Sequence, residues 1–249
     1  MKAFMFFIPG IFTMLVFSAS AQDKSDPKST EVWEPIPKIV VPGSHDHLPP
    51  SDAIVLFNGK DFSEWTTENG SSIKWKIDDN AMVVTKGSGN INTKKKFGDC
   101  QLHIEWRTPN VIEGQGQGRG NSGVFLMGRY EIQVLDSYNN RTYSNGQAGS
   151  VYKQYIPLVN ASRKPGEWQS YDIIFIAPRF NDDGSLKSPA YFTVLHNGVL
   201  IQNHVQLKGI TFNSGQPHYI KHAEKEAIEL QDHGNPVSFR NIWIRELNQ

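Results

Sequence analysis

Two adjoining strand-like segments with a tight turn between them constrain the fold of this chain most. Residues 121–136 read NSGVFLMGRYEIQVLD, an apolar run followed by a segment in which polar and apolar side chains alternate: Arg129, Glu131 and Gln133 against Tyr130, Ile132 and Val134. Alternation with a period of two places the two sets on opposite faces of a strand. Because a carboxylate is costly on a dry face, we expect the polar face to be solvated, paired or part of a site.

A second carboxylate, Asp136, follows Glu131 by five residues. In a regular strand the two side chains would point to opposite faces, but a β-bulge between them would bring both to one face. Two carboxyl groups on one face can act as the acid and the nucleophile or base of a glycoside hydrolase. If the bulge occurs, Glu131 and Asp136 form such a carboxylate pair, with Gln133 between its members.

A third strand-like segment has the same two-faced pattern. In residues 101–107 the apolar set Leu102, Ile104 and Trp106 alternates with the polar set Gln101, His103, Glu105 and Arg107. If this strand and the one containing Glu131 lie in one sheet, their polar faces form a single concave floor. The alternative is a solvated outer face on which ion pairs contribute only about 0–1 kcal/mol each.

The remainder of the chain favours an all-β fold. No long stretch has an apolar period of 3.6 residues, and short strand-like runs are separated by Gly, Asn and Pro turns. This pattern is typical of an antiparallel β-sandwich. Hairpins are predicted around Asp79-Asn80 and around His196-Asn197-Gly198, and residues 221–226 could form one helical turn.

The N-terminal residues predict an exported protein with three segments. Residues 1–21 contain a lysine, a long apolar run and Ala19-Ser20-Ala21, which is the pattern of a cleavable signal peptide. Residues 22–53 are rich in proline and predict a linker or extended arm, and residues 54–249 predict one sandwich domain. We therefore expect a secreted or periplasmic protein whose mature chain has no membrane span.

Charge and cysteine content indicate which partners and cross-links to expect. Lys plus Arg and Asp plus Glu both number 25, so nothing in the charge indicates a nucleic acid or an anionic membrane as partner. The single cysteine, Cys100, excludes an intramolecular disulfide bond. A neutral small molecule is the expected ligand.

Several motifs in order resemble one known family. The string NSGVFLMGRYEIQVLDS, the later GSVY and PGEW, the C-terminal LQDHGNPVSFRNIWIREL and the early LFNGKDFSEW together resemble the 3-keto-disaccharide hydrolase domain family, over residues 54–247. The resemblance implies a concanavalin A-like jelly roll with the site on a concave face. It also implies a carbohydrate-active hydrolase or lyase that cleaves the glycosidic bond of 3-keto-glycosides.

The chemistry implied by this resemblance requires a base, a donor and an acid. A carbonyl at C3 acidifies the hydrogen at C2, and removal of that hydrogen lets the C1 substituent leave, after which water adds. We expect Glu131 as the base, with His103 as the alternative, and Asp136, His204 or His233 as the acid. The enolate donors are expected from Arg107, Arg129 or Gln133, and further sugar contacts from Glu105, Tyr152, Asn121 and His233.

Three questions stay open at this stage. A divalent cation could replace the arginine as electrophile, but no spacing assigns its ligands, and the His45-Asp46-His47 cluster is too short a pattern to do so. An ordinary two-carboxylate glycoside hydrolase would also use Glu131 and Asp136. A non-catalytic carbohydrate-binding sandwich would use similar polar and aromatic surfaces without a perturbed carboxyl group.

Overall fold

The computed structural model describes residues 27–45 and 47–247, which form strands and short 3₁₀ turns without an α-helix. The prediction of a signal peptide at residues 1–21 lies outside the described residues. The chain divides into a short unit ending at Ile39 and a main unit beginning at Val40. Within the described part of the short unit, the only regular element is the 3₁₀ helix Pro27–Thr30.

The main unit contains fifteen strands and two further 3₁₀ helices among its described residues. The 3₁₀ helices are Gly116–Gly118 and Ser144–Gly146. The strands are β1 (Ile54–Phe57), β2 (Trp65–Thr66), β3 (Lys76–Asp78), β4 (Ala81–Val83), β5 (Ile91–Thr93), β6 (Cys100–Arg107), β7 (Ser122–Leu126), β8 (Tyr130–Val134), β9 (Gln169–Ile176), β10 (Arg179–Phe180), β11 (Leu186–Ser188), β12 (Tyr191–His196), β13 (Val199–Gln206), β14 (Glu229–Leu230) and β15 (Ser238–Glu246).

Two antiparallel sheets make up the sandwich. The larger has eight strands in the order β13-β12-β9-β6-β15-β4-β3, with β1 also paired to β15. The smaller has five strands in the order β2-β5-β14-β7-β8. The predicted antiparallel all-β sandwich is confirmed, as are the hairpins at Asp79-Asn80 and His196-Asn197-Gly198. The helical turn predicted for residues 221–226 is wrong, because these residues form bends and a bridge.

The apolar side chains of both sheets meet in a single core. Trp106 and Tyr171 come from the large sheet, whereas Tyr130, Ile132 and Val134 come from β8, and all five are fully buried. The Tyr171 hydroxyl donates a hydrogen bond of 2.8 Å to the backbone carbonyl of Gln133. This contact joins the two sheets and fixes β8, with its polar side chains turned away from the core. Among the described residues, no helix has the length and apolarity that crossing a membrane requires.

Candidate active site

The hairpin of β7 and β8 forms the floor of the candidate site. The two strands pair in regular antiparallel register from Ser122–Val134 to Leu126–Tyr130. Met127 and Gly128 connect them with φ angles of 58° and 62°, the left-handed conformation that a tight hairpin turn requires at both central positions. Since the pairing contains no register shift, Glu131 and Gln133 both face away from the core and lie beside one another.

A pocket of about 280 Å³ opens above this hairpin on the outer face of the small sheet. Its lining combines the two strands with three loops: Asn121, Phe125, Glu131, Gln133, Tyr152, Thr211, Asn213, Gln231 and His233. Five of these residues were predicted from the sequence: Asn121, Glu131, Gln133, Tyr152 and His233. The structure therefore brings together about half of the predicted site around Glu131.

Glu131 carries the one carboxyl group among the described side chains that line the pocket. Its side chain is 4% exposed, and burial raises its pKa to about 8, with the charge of Glu229 adding to the rise and Lys153 opposing it. Its backbone N–H donates to Thr211 Oγ1 at 3.1 Å, which fixes the carboxyl relative to the loop above. A carboxyl group with a pKa near the working pH can both accept and release a proton.

Gly123 leaves the space in which Glu131 sits. An added Cβ at this position would lie 2.8 Å from Glu131 Oε1 and 2.7 Å from Cε2 of Phe125. The Gln133 carboxamide can be oriented so that its nitrogen faces two acceptors. In that orientation it donates hydrogen bonds to Glu131 Oε1 at 2.9 Å and to the Ser122 carbonyl at 3.1 Å. The carboxyl is thus held between an amide donor, an aromatic ring and a glycine, with its free side toward the pocket.

The rim of the pocket comes from loops that are themselves anchored. The Tyr152 hydroxyl bonds to the Tyr143 hydroxyl at 2.6 Å, and burial raises the pKa of Tyr152, so it is a neutral hydroxyl donor. His233 is exposed in a loop that Asp232 fixes by accepting from the Gly89 and Gly234 backbone N–H groups. Both side chains can therefore reach a ligand bound over Glu131.

Asp136 does not join Glu131, and the predicted carboxylate pair is wrong. No bulge occurs in β8, and Asp136 lines a different pocket beyond the end of the strand. Its carboxylate instead accepts from Arg119 Nε at 2.6 Å and from the backbone N–H of Tyr138 at 3.1 Å. Asp136 is 3% exposed, so it serves as the buried partner of Arg119 and ties the residues after β8 to the loop that precedes β7.

We expect Asp136→Ala to destabilise the protein while leaving the chemistry at Glu131 unchanged. Removal of one partner of a buried ion pair leaves an uncompensated charge, and the free energy of unfolding should fall by about 3–5 kcal/mol. Urea unfolding of the variant measures this fall. If kcat at a temperature where the variant is folded drops 100-fold with no loss of stability, Asp136 acts in the reaction after all.

The predicted single polar floor is also wrong, because His103, Glu105 and Arg107 lie on β6 of the large sheet and face away from the core. His103 is fully buried there, with Nδ1 2.7 Å from Asp172 Oδ1. Glu105 pairs with Arg240 at 2.6 Å. Burial tends to raise the pKa of Glu105, but hydrogen bonds from His103, Asn241 and Arg240 outweigh this effect. The net result is a pKa of about 2. The two polar faces are on opposite outer surfaces of the sandwich.

Two arginines of the predicted site also lie elsewhere. Arg107 stacks on the ring of Trp168 at 4.5 Å, on the outer side of the large sheet. Arg129 lies at the hairpin turn and pairs with Glu226 at 2.6 Å, outside the pocket of Glu131. Neither arginine lines the pocket of Glu131, whereas Gln133, the third donor expected from the sequence, does.

One group of potential metal ligands occurs among the described residues, and it lies away from the pocket. Ligand atoms of His47, His103 and Asp172 all lie within 4.8 Å of one another. The imidazole of His103 is stacked between His47 and Trp243, with ring centroids 5.1 and 5.2 Å away. This cluster fixes residues before β1 against the large sheet, and the predicted divalent cation of the active site stays a prediction.

Four of the residues that line the pocket were not predicted from the sequence: Phe125, Thr211, Asn213 and Gln231. Phe125 was detectable, since it lies two residues from Gly123 on the strand that pairs with β8. Thr211 and Asn213 lie in an irregular loop whose position over β8 depends on the Thr211 N–H donating to the Arg129 carbonyl at 2.8 Å. No local pattern in the sequence predicts that contact.

Comparison with known proteins identifies the family of this chain. The sequence profile of the 3-keto-alpha-glucoside-1,2-lyase-like domain matches residues 52–245. A 3-keto-disaccharide hydrolase of Bacteroides thetaiotaomicron is 26% identical over 243 residues, with 78% of each chain covered. A crystal structure of a candidate glycosyl hydrolase from Parabacteroides distasonis is 52% identical, with a TM-score of 0.85, and the match covers 89% of this chain and 97% of that one.

A second candidate glycosyl hydrolase of Parabacteroides distasonis shares the fold at 24% identity. Its TM-score is 0.58, and the match covers 79% of this chain and 94% of that chain. The profile match extends from before β1 into β15 and includes every strand of the small sheet. The chain is a member of the 3-keto-alpha-glucoside-1,2-lyase-like domain family.

Proposed function

We propose that this protein cleaves the glycosidic bond of 3-keto-glycosides by elimination and hydration in the pocket around Glu131. The observation that supports the proposal is a buried carboxyl group with a pKa of about 8, surrounded by neutral amide, hydroxyl and aromatic side chains. Such a carboxyl suits the removal of a carbon-bound proton near neutral pH. The family and its 3-keto-disaccharide hydrolase relative supply the substrate class.

The reaction begins with proton transfer to Glu131. The ionised carboxyl takes the hydrogen from C2, and the electron pair of that C–H bond becomes the C2–C3 double bond of an enolate. When the Gln133 carboxamide is oriented with its nitrogen donating to Glu131 Oε1, this bond orients the attacking carboxylate. The C1–O bond then breaks, its electrons leave with the departing oxygen, and water adds to the resulting enone at C1.

Neutral amides near Glu131 supply the donor for the enolate oxygen. Asn213, whose Oδ1 accepts from Lys153 Nζ at 3.3 Å, and Gln231 both line this pocket. Amide dipoles in a site with little water stabilise developing negative charge without reorganisation. His233 and the neutral Tyr152 hydroxyl at the rim are the groups in place to protonate the departing oxygen.

An assay on matched substrates tests this function. The purified protein receives a 3-keto-glucoside and its unoxidised parent, each with and without a chelator, and release of the leaving group is measured. We expect cleavage of the keto form only, since the parent lacks the acidic hydrogen at C2. Equal cleavage of the parent would favour an ordinary glycoside hydrolase, and binding of sugars without any cleavage would favour a carbohydrate-binding module. Loss of activity with the chelator would assign the electrophile to a cation.

We also propose that the protein is exported from the cytoplasm. The pattern of residues 1–21 supports a cleavable signal peptide and hence action in the periplasm or outside the cell. Mass spectrometry of the protein isolated from its native host checks this, and we expect a mature N-terminus at residue 22. An intact N-terminus at Met1 would contradict it.

A further inference from the structure

A single row of side chains crosses the whole outer face of the small sheet. Directly paired residues of neighbouring antiparallel strands point to the same side, and the registers of the five strands place Thr66 opposite Asn92, Asn92 opposite Glu229, Glu229 opposite Phe125, and Phe125 opposite Glu131. Glu131 therefore lies at one end of a continuous row. Glu229 is two strands away, at roughly 9–10 Å by the spacing of strands in a sheet.

Glu229 is held in a fixed position. Its Oε1 accepts from Asn90 Nδ2 at 2.8 Å, and Asn90 Oδ1 accepts from the Asp232 backbone N–H at 2.9 Å. The second of these bonds fixes the loop that places Gln231 and His233 at the pocket of Glu131. The Asn90 side chain thus couples the position of Glu229 to the pocket in which the proposed chemistry occurs.

The surface beside Glu229 is a second, larger depression. It has a volume of about 600 Å³ and is lined by hydroxyl, amide and carboxylate groups with one glycine: Thr67, Glu68, Asn69, Ser71, Ser88, Gly89, Asn90 and Glu229. No basic or large apolar side chain is part of this lining. Hydroxyls and amides bind polyols through hydrogen bonds, whereas the carboxylates of Glu68 and Glu229 repel an anion.

We infer that this depression, called here the Glu229 trough, binds the leaving-group sugar of the substrate and that Glu229 makes the protein select a neutral sugar over a uronate there. The inference rests on the proposed function, because the leaving group is defined by cleavage at the pocket of Glu131. A ligand that spans both depressions passes over Phe125, which separates the two carboxyl groups in the row. The substrate is then at least a disaccharide, with its keto ring over Glu131.

The electrostatics of the two carboxyl groups fit this arrangement. Burial raises the pKa of Glu131, and the charge of Glu229 two strands away adds to the rise. Burial raises the pKa of Glu229 itself, while the hydrogen bond from Asn90 opposes the rise and Glu68 adds to it. A neutral sugar in the trough leaves these charges unchanged. A uronate would add a negative charge beside the carboxyl groups of Glu68 and Glu229.

The test compares three 3-keto substrates in the wild type and in Glu229→Gln. The substrates are a neutral disaccharide, a disaccharide with a uronate as the leaving group, and an aryl glucoside whose leaving group is too small to fill the trough. In the wild type we expect kcat/KM to be at least 10-fold higher for the neutral disaccharide than for the uronate. In Glu229→Gln we expect KM for the neutral disaccharide to rise about 10-fold and the preference over the uronate to shrink. All rates are compared at a pH where Glu131 is ionised in both proteins, because the charge of Glu229 contributes to the pKa of Glu131, and there the aryl glucoside should lose less than twofold.

Lys96→Gln serves as the matched control, because Lys96 lines the neighbouring depression on the other side of Glu229 and not the trough. It should change none of the three activities by more than twofold. Equal losses on all substrates in Glu229→Gln, or no loss on any, would overturn the inference. A larger effect of Lys96→Gln than of Glu229→Gln on the disaccharides would place the leaving group in the neighbouring depression and also overturn it.

Failure of the proposed function is a separate outcome. If the wild type cleaves no keto substrate, the proposed chemistry is wrong, and the trough is then judged by calorimetric binding of the unoxidised neutral disaccharide. Weaker binding to Glu229→Gln than to the wild type, with Lys96→Gln unchanged, would support the trough as a sugar site. Equal binding to all three proteins, or none, would overturn it.

Discussion

Glu131→Gln is expected to lower kcat/KM on a 3-keto-glycoside by about 10²–10⁴-fold, the range of a general base. The carboxamide fits the same space between Gly123 and Phe125 but cannot accept the C2 proton. The wild-type activity should rise with pH and level off above an apparent pKa near 8, because the base works only when ionised and its pKa is about 8. Initial rates between pH 5 and 9.5 measure both effects.

The same substitution should stabilise the protein at neutral and alkaline pH. The pKa of Glu131 is raised from 4.5 to about 8 in the folded protein, so the unfolded chain releases this proton at lower pH than the folded one. Below pH 4.5 both states are protonated and the wild type has no penalty. As pH rises from 4.5 to 8 the wild type loses stability relative to the variant, on the order of 4–5 kcal/mol.

Urea unfolding at pH 4.5 and pH 8 checks this difference, with Glu167→Gln as a control for removing an exposed carboxyl. The control should show no difference between the two pH values beyond that of the wild type. A Glu131→Gln variant that keeps more than a tenth of the activity would exclude Glu131 as the base. A stability gain without any loss of activity would identify it as a buried group with no catalytic role.

Gly123→Ala should lower activity about 100-fold while leaving the fold intact. The new Cβ would lie within 3 Å of the Phe125 ring and of Glu131 Oε1, and both obstacles are ends of side chains that can rotate away. The fold therefore survives, but the carboxyl moves from its position, and a displacement of about 1 Å in a catalytic group can reduce the rate about 10²-fold. Steady-state kinetics and a thermal melt of the variant measure the two consequences.

Gly118→Ala is the matched control for this prediction. Gly118 has open space around its Cβ position and no positive φ, so the same change should alter neither activity nor melting temperature. If Gly123→Ala unfolds the protein, the crowding extends to the backbone rather than to two side chains. If Gly123→Ala is fully active, the position of the Glu131 carboxyl is not critical.

The sequence predicted the parts of the site that depend on local alternation. Tyr130, Ile132 and Val134 are in the core, so Glu131 and Gln133 had to face outward, and this is what the period of two predicts. The error with Asp136 arose because the bulge assumed in β8 does not exist, whereas a register shift occurs in β15 between Arg240 and Trp243. One irregular residue in a strand changes the face of every residue after it. No pattern in the sequence showed which strand contains such a residue.

The position of His103 shows a second reason why the sequence alone did not predict the whole site. Its strand has a clear polar face, but alternation within a strand does not tell which sheet of a sandwich the strand joins. β6 pairs with β9 and β15 in the large sheet, so its polar face lies on the opposite outer surface from Glu131. Sheet assignment depends on long-range pairing, and three of the missed pocket residues, Thr211, Asn213 and Gln231, depend on it or on loop packing as well.

The most direct test of the central claim is exchange of the C2 hydrogen. Wild type, Glu131→Gln and Glu229→Gln are each incubated with a 3-keto-glucoside in D₂O, and NMR follows deuterium at C2 in substrate and product. We expect C2 deuteration or C2–H loss with the wild type and with Glu229→Gln, and none above background with Glu131→Gln. Cleavage that leaves the original hydrogen at C2 would contradict proton abstraction in this pocket.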